Sequence, residues 1–118
     1  MKRVVFIPPL PLNAFPYKRF AMYIERKSID EVREFVESAK KLGIPIVGYI
    51  RHESTVRLLN QLFGLDLKPS SELYKHGEGD ALIVVGLKKP VRGQEIEVKP
   101  EDLDLAIAAI VASETSSG

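Results

Sequence analysis

Five consecutive residues, Arg51-His52-Glu53-Ser54-Thr55, bring a guanidinium, an imidazole, a carboxylate and two hydroxyls into one short stretch. Imidazole is the side chain that gains or loses a proton near neutral pH. Arg51 and Arg57 are cationic donors, and Ser54 and Thr55 can offer hydroxyls to a phosphate or cap a helix. If a helix starts here, its unpaired amides and partial positive charge complete an anion cradle. A phosphate held beside a titratable acid is what RNA transesterification needs: a 2′-hydroxyl attacks the adjacent phosphorus, and a positioned histidine protonates the departing 5′-oxygen. No metal or other cofactor is required for that chemistry. A plainer reading fits the same residues. Ser or Thr at a helix start is usually only a cap, and a histidine at such a junction is more often a hydrogen-bonded structural group. The five residues alone leave both readings open.

The flanking sequence predicts the elements that would hold this stretch. Residues 44–50, rich in Ile, Val and Tyr, read as a central strand stopping at Arg51. Residues 54–63 read as a helix with Val56, Leu59, Leu62 and Phe63 inward, closed by Gly64. Upstream, Arg3–Ile7 reads as a short buried strand, a proline-rich loop follows, and alternation over residues 19–25 predicts a second strand. Ser28 and Glu31 form a capping box opening a helix whose stripe is Ile29, Val32, Phe35, Val36, Ala39 and Leu42. Glu37 and Lys41 are spaced as an i,i+4 pair on it. Downstream, residues 81–87 are the most strand-like run. Brief strands are expected at 73–75 and 95–98, and residues 100–102 suit a short helical turn. Residues 105–112 fit strand or helix, with strand preferred. The expected fold is α/β (α+β): one domain over residues 1–112, with a mixed sheet of about five strands flanked by helices, and a disordered polar tail at 113–118.

Composition narrows the function classes. The 118 residues carry 17 basic and 16 acidic side chains, a net charge of +1. Such balance argues against a coat for long nucleic acid but leaves room for a small phosphorylated ligand. No apolar run approaches a membrane span, and no secretory leader is legible. Without cysteine there are no disulfides, thiolate metal sites or cysteine nucleophiles. His76, Glu78 and Asp80 lack metal-ligand spacing, so no metal site is expected, and His76 reads as an exposed, inert turn residue. Lys88, Lys89 and Arg92 form the densest basic cluster, suited either to phosphate charge or to an exposed turn. Asn13 fits an adenine edge or an ordinary loop amide. Tyr17, Lys18 and Arg19 mix a ring with cations, although a solvated loop is the simpler reading.

The block His52-Glu53-Ser54-Thr55, with Gly48 before it and Leu58-Leu59, Leu62 and Gly64 after it, resembles the core of the viral anti-CRISPR ring nucleases. Leu12-Asn13-Ala14-Phe15, Gly79-Asp80-Ala81-Leu82 and the basic turn Lys88–Gly93 agree with that family in order. The likeness spans most of the chain, and the His-Glu-Ser-Thr block is its specific part. The resemblance implies a cytoplasmic homodimer that binds cyclic tetra-adenylate across its two-fold and cuts it without metal. The products are linear di-adenylates ending in 2′,3′-cyclic phosphate, and the effect is to silence type III CRISPR signalling. It casts His52 as general acid. The residue types themselves suggest Lys89 and Arg92 as catalytic cations and Asn13, Lys18, Arg51, Ser54, Thr55 and Lys88 as ligand contacts. The chain departs from the family pattern at Pro16, Lys18 and Ser71, at Lys89, which replaces an arginine, and at Arg92, which replaces a glutamate. Binding without cutting, and an interaction dimer without a pocket, are the alternatives these departures keep open.

Overall fold

Val4, Val5, Phe6 and Ile7 have no polar side, so a strand built from them is stable only if both faces are covered. In the computed structural model of the protein, which describes residues 1–9, 12–88 and 97–115, that condition is met: all four are at most 1% exposed. The strand β1 (Arg3–Ile7) lies inside a five-stranded sheet of order β2-β5-β4-β1-β3, with β2 at Tyr17–Lys27, β3 at Ile46–Gly48, β4 at Asp80–Leu87 and β5 at Leu103–Thr115. β1 pairs in parallel with β3 and β4, and β5 runs antiparallel to β4 and to β2. The carboxyl ends of β1, β3 and β4 therefore point the same way. The helices α1 (Ile29–Lys41) and α2 (Glu53–Phe63) complete a single α+β domain with a mixed sheet, as the sequence predicts.

Both helices pack on one face. Val32, Val36 and Ala39 from α1 and Val56, Leu59 and Phe63 from α2 meet Val4, Phe6, Ile83, Val85 and Leu105 in one core. The opposite face, from Val5, Ile7, Leu82 and Ala108, carries no α-helix among the described residues and is covered by Ala14 of a 3₁₀ turn and by Phe15 and Tyr74. The α1 capping box forms as expected: Ser28 Oγ accepts from the Glu31 amide at 3.1 Å, and the Ser28 amide donates to Glu31 Oε1 at 3.0 Å. Glu37 pairs with Lys40 rather than Lys41. Lys40 Nζ also donates to the carbonyls of Phe63 and Gly64, at 2.7 and 2.8 Å. It thereby satisfies orphan carbonyls at the end of α2, where a cation is electrostatically favoured.

Several boundaries differ from expectation. β2 extends two residues earlier and two later than 19–25, because its partner β5 is long enough to pair with all of it. Residues 105–112 are strand, inside the longer β5. That strand reaches Thr115, into the expected tail, while residues 116–118 lie outside the described residues. β3 is confined to three residues and lies at the edge of the sheet beside β1, not at its centre as residues 44–50 suggest. Residues 73–75 form no strand, nor do 97 and 98; residues 95 and 96 are outside the description. A short 3₁₀ turn forms at Pro100–Asp102.

At the amino ends of β1 and β4, a charged knot ties the sheet to its irregular cover. Arg3 donates to both oxygens of Asp80, at 2.8 and 3.0 Å, and Tyr74 donates to Asp80 Oδ2 at 2.5 Å. The Gly77 amide adds a bond of 3.1 Å to the same oxygen. Burial alone would raise the Asp80 pKa, but the bonds from Arg3, Tyr74 and Gly77 together hold it below the usual carboxylate value. Tyr74 is pushed up, by burial first and then by its bond to Asp80. A carboxylate depressed on folding contributes its full stability above its unfolded value of about 3.9, and loses it as the pH falls through the folded value. Stability measured by urea unfolding should therefore decline below about pH 4, with a shallower decline in Asp80→Asn. At neutral pH that variant should lose roughly 2–3 kcal/mol, less than for a fully enclosed pair because Arg3 keeps partial access to water.

Candidate functional site

α2 begins where the chain leaves β3 at the carboxyl end of the parallel strands, a location where open α/β sheets commonly bind ligands. Its cap is His52 itself, with extended backbone at φ −74° and ψ 115°. The ring's Nδ1 accepts from the Thr55 amide at 3.3 Å and lies 3.1 Å from Thr55 Oγ1. The sequence reading gave the cap to Ser54 or Thr55; the helix instead starts one residue earlier, at Glu53, and the imidazole takes the capping role. The amides of residues 53–55 have no carbonyl four residues back. The His52 ring meets that of Thr55, which leaves those of residues 53 and 54 for an outside acceptor. At the far end Gly64 closes α2 in the left-handed conformation, φ 61°.

The two hydroxyls of the stretch face protein. Ser54 Oγ accepts from the Val98 amide at 2.8 Å, tying the chain just ahead of β5 to the first turn of α2. Thr55 is buried, 3% exposed, and its hydroxyl lies against His52. Arg51 and Arg57 are exposed beside and along the same helix. Lys88 is exposed just beyond β4, and its backbone amide bonds the Asp102 carbonyl at 2.9 Å. It thus shares the carboxyl side of the sheet with His52. Lys89 and Arg92 lie outside the described residues.

Asn13 and Lys18 are placed elsewhere. Asn13 is exposed in the 3₁₀ turn Leu12–Ala14, and the Ala14 carbonyl accepts from the His76 amide at 2.7 Å, four residues ahead of β4. Lys18 lies near the start of β2, opposite the far end of β5. Both therefore belong near the amino end of β4, whereas His52 lies beyond the carboxyl end of β3. One protomer does not gather all the expected contacts at His52.

His76 departs from its reading as an exposed, inert residue. It is half-buried; its Nδ1 lies 2.6 Å from the Tyr17 hydroxyl, and its ring packs against Phe15, Tyr17 and Tyr74. Burial pushes its pKa below the ordinary histidine value, against the opposing charge of Asp80. Tyr74 lies two residues away, but Phe15 and Tyr17 come from about 60 residues earlier in the chain, so local spacing does not announce the environment.

Capping by His52 has a measurable cost of removal. His52→Ala should lower stability by about 1 kcal/mol in chemical denaturation, while His52→Asn, which supplies a strong capping oxygen, should match or exceed the parent.

Among the described residues, no helix is long and apolar enough to cross a membrane. No curated relative matches the chain. Among solved structures it is similar to B116 of Sulfolobus turreted icosahedral virus, with a TM-score of 0.69 and 18% identity over 90% of this chain and 97% of that one. At that identity the likeness speaks for the fold alone. The model of the STIV B116-like family matches residues 11–110, most of the 118, and the chain belongs to that family.

Proposed function

We propose that this protein is a metal-independent ring nuclease, which opens a cyclic oligoadenylate, cyclic tetra-adenylate first among them, and so ends type III CRISPR signalling in the cytoplasm. The observation that carries the reading is the His52 cap. Nδ1 is engaged by Thr55, so the ring's other nitrogen is the one available to a ligand, at a helix start with two open amides. A phosphate accepting from the amides of residues 53 and 54 stands beside that nitrogen. Arg51 adds an exposed cation next to the cap, with Lys88 on the same side of the sheet. The resemblance of His52-Glu53-Ser54-Thr55 to the ring nuclease core supports the substrate class.

In the reaction the 2′-oxygen forms a bond to phosphorus as the bond from phosphorus to the 5′-oxygen breaks. Charge growing on the leaving oxygen is neutralised by a proton from Nε2 of a protonated His52, and the 2′-hydroxyl proton passes to solvent. No step calls for a metal. The product end is a 2′,3′-cyclic phosphate. Lys89 and Arg92 are proposed to neutralise phosphate charge, on their place in the densest basic cluster of the sequence.

The active form is proposed to be a homodimer, each protomer supplying one His52 to a symmetric ring. Leu12 and Leu73, 80% and 73% exposed, favour a protein partner for the side of the sheet opposite α1 and α2.

Chromatography of labelled cyclic tetra-adenylate after incubation with protein and excess chelator tests the reading. Linear di-adenylate is expected from the wild type. His52→Asn should keep the fold and lose at least about 100-fold in rate, the lower end of what a general acid contributes. Intact ligand recovered from a tight wild-type complex would instead establish a binding module, and undiminished cleavage by His52→Asn would remove the imidazole from the chemistry.

A further inference from the structure

We infer that Thr55 is the positioning residue that governs where the His52 ring carries its proton, its hydroxyl reversing between donor and acceptor as the ring changes charge. The inference rests on the reading of His52 as proton donor, and it gives Thr55 a part other than ligand contact. At 3% exposure its hydroxyl does not reach a ligand, and a hydroxyl so enclosed needs a partner inside the protein. That partner is Nδ1 of His52, 3.1 Å away.

The backbone fixes the direction of these bonds. A peptide N–H can only donate, so an Nδ1 that receives the Thr55 amide at 3.3 Å holds no proton. The neutral ring therefore carries its single proton on Nε2, and the Thr55 hydroxyl is free to donate to Nδ1 as well. A ring in that state is no acid for a leaving alkoxide, because giving up its only N–H proton would leave an imidazolate. The competent acid is the imidazolium, with a proton on each nitrogen. The amide cannot accept the new Nδ1–H, but Oγ1, with lone pairs of its own, accepts it after a rotation of the hydroxyl.

Once Nε2 has delivered its proton to the 5′-oxygen, the ring is neutral with its proton on Nδ1, still held by Oγ1. Nε2 then regains a proton from water. Each turnover passes through states in which the Nδ1 proton needs this acceptor. Valine at position 55 has the same shape and keeps the backbone amide, yet it would face that proton with a methyl group. Serine retains the hydroxyl.

The test compares Thr55→Val and Thr55→Ser with the wild type. Turnover and binding are measured on cyclic tetra-adenylate, and NMR of protein with ¹⁵N-labelled histidine reads the ring. Thr55→Val should bind within about twofold of wild type and lose roughly 10- to 100-fold in kcat, as expected for loss of a hydrogen bond to a charged group. Thr55→Ser should recover most of that rate. The neutral wild-type ring should show the Nε2–H tautomer. At acid pH an Nδ1–H signal protected from exchange should appear in the wild type and Thr55→Ser but not in Thr55→Val. A Thr55→Val enzyme as fast as wild type, or a neutral wild-type ring protonated on Nδ1, would overturn the inference. If the wild type cleaves no cyclic oligoadenylate while the NMR pattern holds, the nuclease reading fails and the control of the ring proton by Thr55 stands.

Discussion

One ring nitrogen closes the first turn of α2, and the arrangement around the site follows from that bond. With Nδ1 engaged by Thr55, the imidazole cannot swing freely, and its second nitrogen has a fixed direction relative to the open amides of residues 53 and 54. The helix must then be held against the sheet, or the cap would aim at nothing. Apolar burial of Val56, Leu59 and Phe63 supplies most of the grip. Lys40, reaching from α1 to the last carbonyls of α2, fixes the other end. Ser54 extends the constraint to Val98 and so to the start of β5.

The sheet separates two electrostatic regions that might have interfered. Cations and open amides collect near the carboxyl ends of β3 and β4, while the buried carboxylate of Asp80 sits at the amino end of β4, already neutralised by Arg3. β4 runs eight residues, so roughly 25 Å of strand lies between its ends. The separation leaves the Asp80 knot free to serve stability alone. It clamps Tyr74 and Gly77, and with them the irregular segment that crosses the face opposite α1 and α2.

Much of the fold is legible in the sequence because burial leaves a simple signature. The unbroken apolar run of residues 4–7 is what a strand covered on both faces requires, and Ser28 with Glu31 signals its helix start through geometry local to four residues. Residues 105–112 are harder. Alanine and isoleucine alternate weakly there, and pairing with both β2 and β4 decides for strand. The site is legible in its centre and obscure at its margins. The His52 stretch declares itself by residue type. That the imidazole, not Ser54, caps the helix depends on the backbone turning one residue earlier than hydroxyl preferences suggest. The bonds from Ser54 to Val98 and from His76 to Tyr17 join residues far apart in the chain, so no spacing rule reaches them.

The choice of residue at the cap carries an argument of its own. Asparagine, aspartate and serine satisfy a helix start better than most side chains, and histidine is not among the preferred caps. A chain optimised only for stability would place one of those oxygens at position 52. Here the capping acceptor is one nitrogen of a ring whose second nitrogen is left to the ligand side, and the neighbouring threonine is buried at a cost that its bond to the ring must offset. Cap preference alone does not favour the imidazole. The proposed proton transfer gives a use to both the ring and the enclosed hydroxyl, because it needs a ring of fixed aim and a partner able to accept as well as donate.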